Sequence, residues 1–494
     1  MAIEAFPALR EANDRVALVD GESSWSYREL NARIDRCAAA LLNGRKDLHE
    51  ERIAVLLPAG IGYVTALHGV WRAGGLAVPL NVAAAEPELE HCLADAGVTR
   101  LIAARDLSPG ARRLCGRLGI QPLTVDNLPA EPPARLPRIK PARRAMIVFT
   151  SGTSGKPKGA VTTHRAIHTQ IVMLTRAWKW SEADVLPLFL PLHHFHGIIN
   201  VLNCALWSGA RVHAMPRLDV EELCGQVTGG TYTALMAVPT IYVKLIAHIR
   251  TLAPAEREAV CAGFGRMRVN ISGSAACPVK LFKQWRELTG QVILERYGTT
   301  ETGMALSNPY DGERRAGTVG QALPGVTVEL FDEQDQPVRA DATPGEVRIR
   351  GDSVMKEYWN NAEATAAGFA DGWFRTGDVA VVEDGYYRIL GRSSIDIIKS
   401  GGYKLSALEI EGVLLDHEAI GEAAVIGLPD DTWGEIVAAA VTLKHGASLD
   451  LAGLKEWCAG RMSGYKAPRR LKVMRDLPRN AMGKVVKTAL RDLL

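Results

Sequence analysis

The run Phe149-Thr-Ser-Gly-Thr-Ser-Gly-Lys-Pro-Lys-Gly159 gathers more phosphate-binding chemistry than any other stretch of the chain. Thr150, Ser151, Thr153 and Ser154 supply four hydroxyls, Gly152 and Gly155 free the backbone to turn its N–H groups outward, and Lys156 and Lys158 add positive charge. Such a loop can wrap polyphosphate oxygens in the manner of a backbone nest. The same composition also serves as a flexible Gly/Ser linker. Against the linker stand the two lysines and the apolar, β-branched run Met146–Phe149 just ahead, which is long enough for a buried strand. The spacing excludes a Walker loop: Gly152 to Lys156 is too short, and a proline follows the lysine.

Four further stretches carry polar groups suited to a nucleotide and an acid. In Glu295-Arg-Tyr-Gly-Thr-Thr-Glu301, Tyr297 suits stacking on a base and Thr299 and Thr300 suit donation to a phosphate. Glu301 suits a magnesium ion, which prefers oxygen ligands shared with substrate phosphates. The alternative is a helix start with threonine caps after a strand at 291–294. Ile271-Ser-Gly-Ser-Ala-Ala276 has small residues, Ser274 and Ala275 among them, against which a planar ligand can lie; a tight strand-to-helix turn reads the same way. Phe374-Arg-Thr-Gly-Asp378 places a carboxylate on a glycine turn, suited to two ribose hydroxyls, and Arg392 follows close behind. Pro478-Arg-Asn-Ala-Met-Gly-Lys484 ends on a lysine beside a glycine, and an ammonium brought to a phosphate would stabilise charge that grows there. Between Arg461 and Arg491 ten Lys/Arg face one acid, Asp476, and most of these form a solvated basic face. Nucleic-acid binding is disfavoured there by the lack of interleaved aromatics.

These residues must be held by a large α/β frame. Residues 1 to about 140 alternate helical and strand-like patterns: a helix from Trp25 to Ala40, a strand at 52–57, a helix at 61–74 and a strand at 77–80. That alternation predicts a parallel sheet covered on both faces. From 185 it resumes, with helices expected at 197–207, 239–250 and 278–289. Short alternating runs between 316 and 390 predict a small antiparallel β subdomain. The last hundred residues read as a separate α+β unit with helices at 406–415, 450–461 and 483–493. The 494 residues, 47% apolar with a net charge of +3, favour two or three packed domains and no polyanionic partner in particular. Eight scattered cysteines without a C-x-x-C pair disfavour disulfide and zinc frameworks. The first residues carry no signal or transit pattern and no apolar run reaches a membrane span, so the cytoplasm is the expected compartment.

Taken in order, the stretches at 149–159, 271–276, 295–301, 374–378, 391–392 and 478–484 resemble the adenylate-forming superfamily, and Trp25–Leu30 and Arg72–Leu80 extend the likeness over essentially the whole chain. The resemblance implies an N-terminal domain over 1–391, a hinge within 392–396 and a mobile C-terminal domain over 397–494. It also implies ATP and Mg2+ as cofactors and a two-step reaction, in which a carboxylate becomes an acyl-adenylate and a thiol then takes the acyl group. Nucleotide binding is implied for Thr150–Lys156, Ser274, Ala275, Glu295, Arg296, Tyr297, Gly298, Thr299, Asp378 and Arg392, and catalysis for Thr300, Glu301, His196 and Lys484. Ser400, Gly401 and Gly402 resemble a loop lining the pantetheine tunnel. With no carrier segment after Leu494, free coenzyme A is the expected thiol. Leu190–Gly197, Ala237–Lys244, Ser272–Ala275, Glu295–Gly298 and Ser394–Tyr403 look closest to malonyl-CoA and methylmalonyl-CoA synthetases. A diacid needs a cation in the acyl pocket. Lys244 stands where arginine is usual and is the expected contact, with Ser274 and His196 in the pocket wall and Arg296 the next candidate. The alternatives are a ligase for a monocarboxylate and a nucleotide-binding relative without activity. The joint is one residue longer than in many relatives, which leaves the hinge open between Ser394, Ile395 and Asp396.

Overall fold

The computed structural model describes residues 9, 13–126, 135–150, 157–393, 395–401, 403–479 and 485–494. The expected phosphate-loop residues Ser151–Lys156, together with Ser394, Gly402 and Lys484, lie outside the described residues. What flanks the loop is clear. Strands Arg144–Thr150 and Lys158–Thr163 pair antiparallel up to Thr150 opposite Lys158, forming the two arms of a hairpin.

That hairpin belongs to a seven-stranded sheet, ordered Glu357–Tyr358, Lys158–Thr163, Arg144–Thr150, Leu76–Pro79, Arg52–Leu56, Arg100–Ala103 and Gln121–Leu123. Its central strands are buried along most of their length, as strands covered on both faces must be, and they read as continuous apolar runs rather than alternating ones. Helices Tyr27–Leu42 and Ile61–Arg72 pack against each other; the first starts at Ser26, whose hydroxyl and the Glu29 carboxylate cap each other's backbone. A second sheet runs Ala234–Ala237, Val269–Ser272 and Leu294–Thr299 in parallel, then Gly303–Ser307 and Gln321–Ala322 antiparallel. A third joins Ser23–Ser26, Val16–Asp20, Arg211–Ala214 and Val185–Leu188. The expected β subdomain is the antiparallel sheet of Val326–Phe331, Gly345–Gly351, Trp373–Glu383, Phe369–Ala370 and Tyr386–Arg392. The C-terminal unit has a sheet of its own, with Gly434–Leu443 between Ile420–Asp430 and Arg470–Met474 and helices Ala407–Leu415 and Leu451–Cys458 against it.

The structure departs from the sequence reading in several elements. The helix expected at 197–207 is a π-helix over His196–Asn203 followed by one α-turn, Cys204–Ser208. Its start is pressed on the preceding loop: a Cβ on Gly197 would lie 2.5 Å from the Pro191 carbonyl oxygen. The strand expected at 291–294 begins at Leu294 and runs through the motif to Thr299, because Gly303–Ser307 folds back and pairs with it. A helix over Pro254–Arg266 was not anticipated. The helix expected at 483–493 is a short 3₁₀ turn over Lys487–Leu490 among the described residues, set by Leu490 packing into the C-terminal core. No helix among the described residues is long and apolar enough to cross a membrane. All eight cysteines are free, and all but Cys261 are buried.

Candidate active site

The strand Leu294–Thr299 organises the site, since successive side chains leave it on opposite faces. Glu295 and Arg296 are both buried, 3% and 2% exposed. Glu295 accepts the Cys277 backbone N–H on Oε1 at 3.0 Å, while Oε2 has no partner among the described residues. Burial pushes its carboxyl up to about 8. Arg296 leaves Nε and Nη2 without a partner, and burial pulls its guanidinium down to about 9. Gly273 lies flat against that guanidinium, where a Cβ would sit 2.5 Å from Cζ.

His196 and Ser274 complete this pocket. Ser274 takes a left-handed backbone, φ 68°, and its hydroxyl meets His196 Nδ1 at 3.2 Å. His196 Nε2 is buried without a partner. Burial, then the Arg296 and His194 charges, hold the imidazole well below the usual histidine range, so it is neutral at physiological pH. The Arg296 guanidinium, a neutral imidazole and a serine hydroxyl thus lie together, the guanidinium beside the Glu295 charge but with two nitrogens lacking a hydrogen-bond partner.

On the nucleotide side, strand and β subdomain meet. The Tyr297 hydroxyl donates to Asp378 Oδ2 at 2.5 Å, and Arg392 Nε lies 3.3 Å from Oδ1. Asp378 is held by its own N–H donating to Thr376 Oγ1, which donates on to the Val347 carbonyl. Tyr297, expected to stack on a base, is therefore tied edge-on to the carboxylate expected to hold a ribose. Thr300-Glu301-Thr302 is the hairpin turn, not a helix start. Thr302 Oγ1 accepts from the Thr299 N–H at 3.1 Å. Gly298 has no alternative there: a Cβ would lie 2.1 Å from the Gly303 carbonyl oxygen. The Glu301 carboxylate accepts from the Tyr358 hydroxyl at 2.9 Å, and Lys158 stands 5.4 Å over the Tyr358 ring. The end of the phosphate hairpin and Glu301 are thereby brought together. Tyr358 was not singled out in the sequence, because Lys356-Glu-Tyr-Trp359 carries no signature and becomes an edge strand only by pairing with Lys158–Thr163.

Two expected contacts sit apart from this cluster. Lys244, on helix Pro239–Thr251, is exposed and lines a surface depression with Leu218, Asp219, Val220, Glu221, Ala247 and His248. Tyr242, two residues earlier, turns inward instead and donates to the Ile271 carbonyl. Ser400 is buried at the end of Ile397–Ser400, and Gly401 packs on Trp433, where a Cβ would come within 2.8 Å of the ring. Ala275 is exposed beside Ser274. Among the described residues no three His, Cys, Asp or Glu side chains converge as a metal cage. A magnesium ion shared between Glu301 and substrate phosphates needs none.

A family model described as AMP-binding enzyme matches residues 6–359, and one described as AMP-binding enzyme C-terminal domain matches 409–484. The chain belongs to the AMP-binding enzymes. Its likeness to the adenylate-forming superfamily, its α/β layers and its separate C-terminal unit all accord with that membership. Among curated AMP-binding enzymes it is 42% identical to a malonate–CoA ligase of Mus musculus, ACSF3, over 97% of this chain and 88% of that one. Among solved ones it is similar to ATP-bound MatB from Rhodopseudomonas palustris, with TM-score 0.88, 31% identity and 98% of each chain covered. A malonyl-CoA ligase solved with methylmalonyl-CoA and AMP shares more sequence, 36% over 96% of this chain and 100% of that one, yet superposes less well, with TM-score 0.71.

Proposed function

We propose that this AMP-binding enzyme is an ATP-dependent ligase joining malonate, or its 2-methyl derivative, to coenzyme A. One observation carries the diacid reading: the buried Arg296 guanidinium, with two nitrogens unpartnered, beside neutral His196 and Ser274. A monoacid would leave that cation bare, whereas the far carboxylate of malonate supplies the counter-charge and accepts a two-pronged guanidinium contact. Names of relatives at 42% and 35% identity include malonate–CoA ligases, and they agree with the same reading.

In the first step a carboxylate oxygen of the acid attacks the α-phosphorus of ATP and pyrophosphate departs. The loop 151–156 and Lys158 bind the polyphosphate, and Asp378 with Arg392 orients the ribose. Glu301 would hold a magnesium ion, which would supply positive charge beside the phosphates of ATP. Lys484 places its ammonium between the acid and the α-phosphate, where it stabilises the transition state. In the second step the coenzyme A thiol attacks the acyl carbon and AMP leaves. The joint lies within 392–396, and residues 397–494 move about it, with Ser400–Gly402 against the pantetheine arm. The eight free cysteines fit a reducing compartment, the cytoplasm or an organelle matrix.

The test is pyrophosphate release from ATP over an acid panel. Malonate and methylmalonate should exceed butyrate, phenylacetate and indoleacetate by at least tenfold in kcat/KM. Equal or better turnover of a monoacid overturns the diacid reading.

A further inference from the structure

Three residues beyond Lys484, Lys487 is gripped by two carboxylates from different elements. Its Nζ lies 2.5 Å from Asp396 Oδ1, in the joint, and 2.6 Å from Glu411 Oε1, on helix Ala407–Leu415. All three side chains are largely buried, 12–15% exposed. Neither acid is idle elsewhere. Glu411 Oε1 also accepts the Val425 N–H at 2.7 Å, which ties it to the C-terminal sheet. Asp396 Oδ2 accepts the Arg392 N–H at 3.1 Å, and the Asp396 N–H returns to the Arg392 carbonyl at 2.8 Å. Arg392 ends the last strand of the β subdomain and ion-pairs with Asp378. Gly391, at φ 128°, permits this closeness: a Cβ there would fall 2.3 Å from that of Asp396.

We propose that Lys487 is a positioning residue for the first half-reaction: with Asp396 and Glu411 it forms a clasp that fixes the segment carrying Lys484 to the joint. Three residues of chain span no more than about 11 Å, so anchoring Lys487 confines where the Lys484 ammonium can reach. The clasp bridges two bodies. Glu411 and Lys487 travel with the C-terminal sheet, whereas Asp396 is bonded to the backbone of Arg392. A turn of the chain within 392–396 changes the Arg392–Asp396 geometry and must loosen the Asp396 arm while leaving the Glu411 arm intact. The chain that displays this clasp has TM-score 0.88 to the ATP-bound neighbour and 0.71 to the product complex.

The inference rests on the ligase activity proposed above, and the two fail separately. The assays are malonate-dependent ATP–pyrophosphate exchange, single-turnover release of enzyme-bound adenylate on addition of coenzyme A, and hydrogen exchange at the Arg392 amide. In Lys487→Met, exchange should fall at least tenfold and the chase rate should stay within twofold. Lys487→Arg, which keeps the charge, should restore most of the exchange. The Arg392 amide should exchange faster in the methionine variant, whatever the activity. A parallel fall in both half-reactions, an unchanged exchange rate, or an unchanged Arg392 amide overturns the clasp. If Lys487→Met does not fold, Lys487→Gln carries the same test, since it removes the charge while leaving Asp396 and Glu411 in place. A wild-type protein that exchanges pyrophosphate with no acid overturns the ligase reading, and the amide measurement then decides the clasp alone.

Discussion

Replacing Arg296 by methionine tests the substrate reading most directly. The side chain is 2% exposed and leaves Nε and Nη2 without partners, so the free protein holds a buried charge with no counter-ion at those atoms. In a malonate complex the far carboxylate would supply it. Removing one partner of a buried pair costs about 3–5 kcal/mol. At about 1.36 kcal/mol per tenfold in rate, kcat/KM for malonate should fall by between about a hundredfold and a few thousandfold. Butyrate, of similar size but with no second charge, should react as well or better, because its methyl end then meets methionine instead of a bare cation. The free protein offers an internal control. Removing the cation takes away the charge beside Glu295 but also two unsatisfied buried nitrogens, so Tm should change little. The assay is kcat/KM for both acids by pyrophosphate release, with Tm by calorimetry. If malonate-over-butyrate discrimination survives the substitution, Arg296 does not read the second carboxylate, and the exposed Lys244 becomes the cation to test.

Three further outcomes are expected. Lys484→Ala should abolish adenylate formation while leaving thioester formation from supplied acyl-adenylate largely intact; equal loss in both would remove the two-conformation assignment. Glu301→Gln should raise the magnesium concentration needed for half-maximal turnover and lower kcat more than ATP affinity, measured by magnesium titration at saturating ATP. Glu295→Gln should flatten a pH trend in stability. The buried carboxyl of Glu295 is raised from about 4.5 to about 8. Its contribution is therefore fully present below pH 4.5 and is lost as pH climbs to 8, by up to about 1.4 kcal/mol per pH unit. Tm of the free wild-type protein should decline more steeply over that window than that of the variant.

Much of the frame was legible in the sequence because its signals are local. Strand Arg144–Thr150 is a β-branched apolar run, and Gly, Pro and Asp punctuate the β subdomain at short intervals. What escaped was set by tertiary contact. The strand through Glu295–Thr299 exists because Gly303–Ser307 folds back on it across a gap that only Gly298 tolerates. The π-helix after His196 answers to the loop that presses on Gly197. Helix Pro254–Arg266 buries only Val260, Gly263 and Phe264, too sparse a stripe to read as a helical face. Lys244, the cation expected from the segment resembling the pocket wall, is exposed on its helix, whereas strand alternation buries Arg296 of the nucleotide motif. No local pattern announces that Lys487, on a basic stretch, is enclosed by Asp396 and Glu411 from far along the chain.

The burial of the cysteines has a chemical consequence. An enzyme that makes a mixed anhydride and offers it to a thiol places a strong acylating agent within its own walls. The thiolate is the nucleophilic form, and burial pushes Cys37 and Cys92 up to about 12, Cys224 to about 11, and Cys277, the cysteine whose N–H holds Glu295, higher still. At neutral pH none of these four carries an appreciable anionic fraction. At these four positions the fold thus withholds self-acylation by suppressing the nucleophilic form of the thiol.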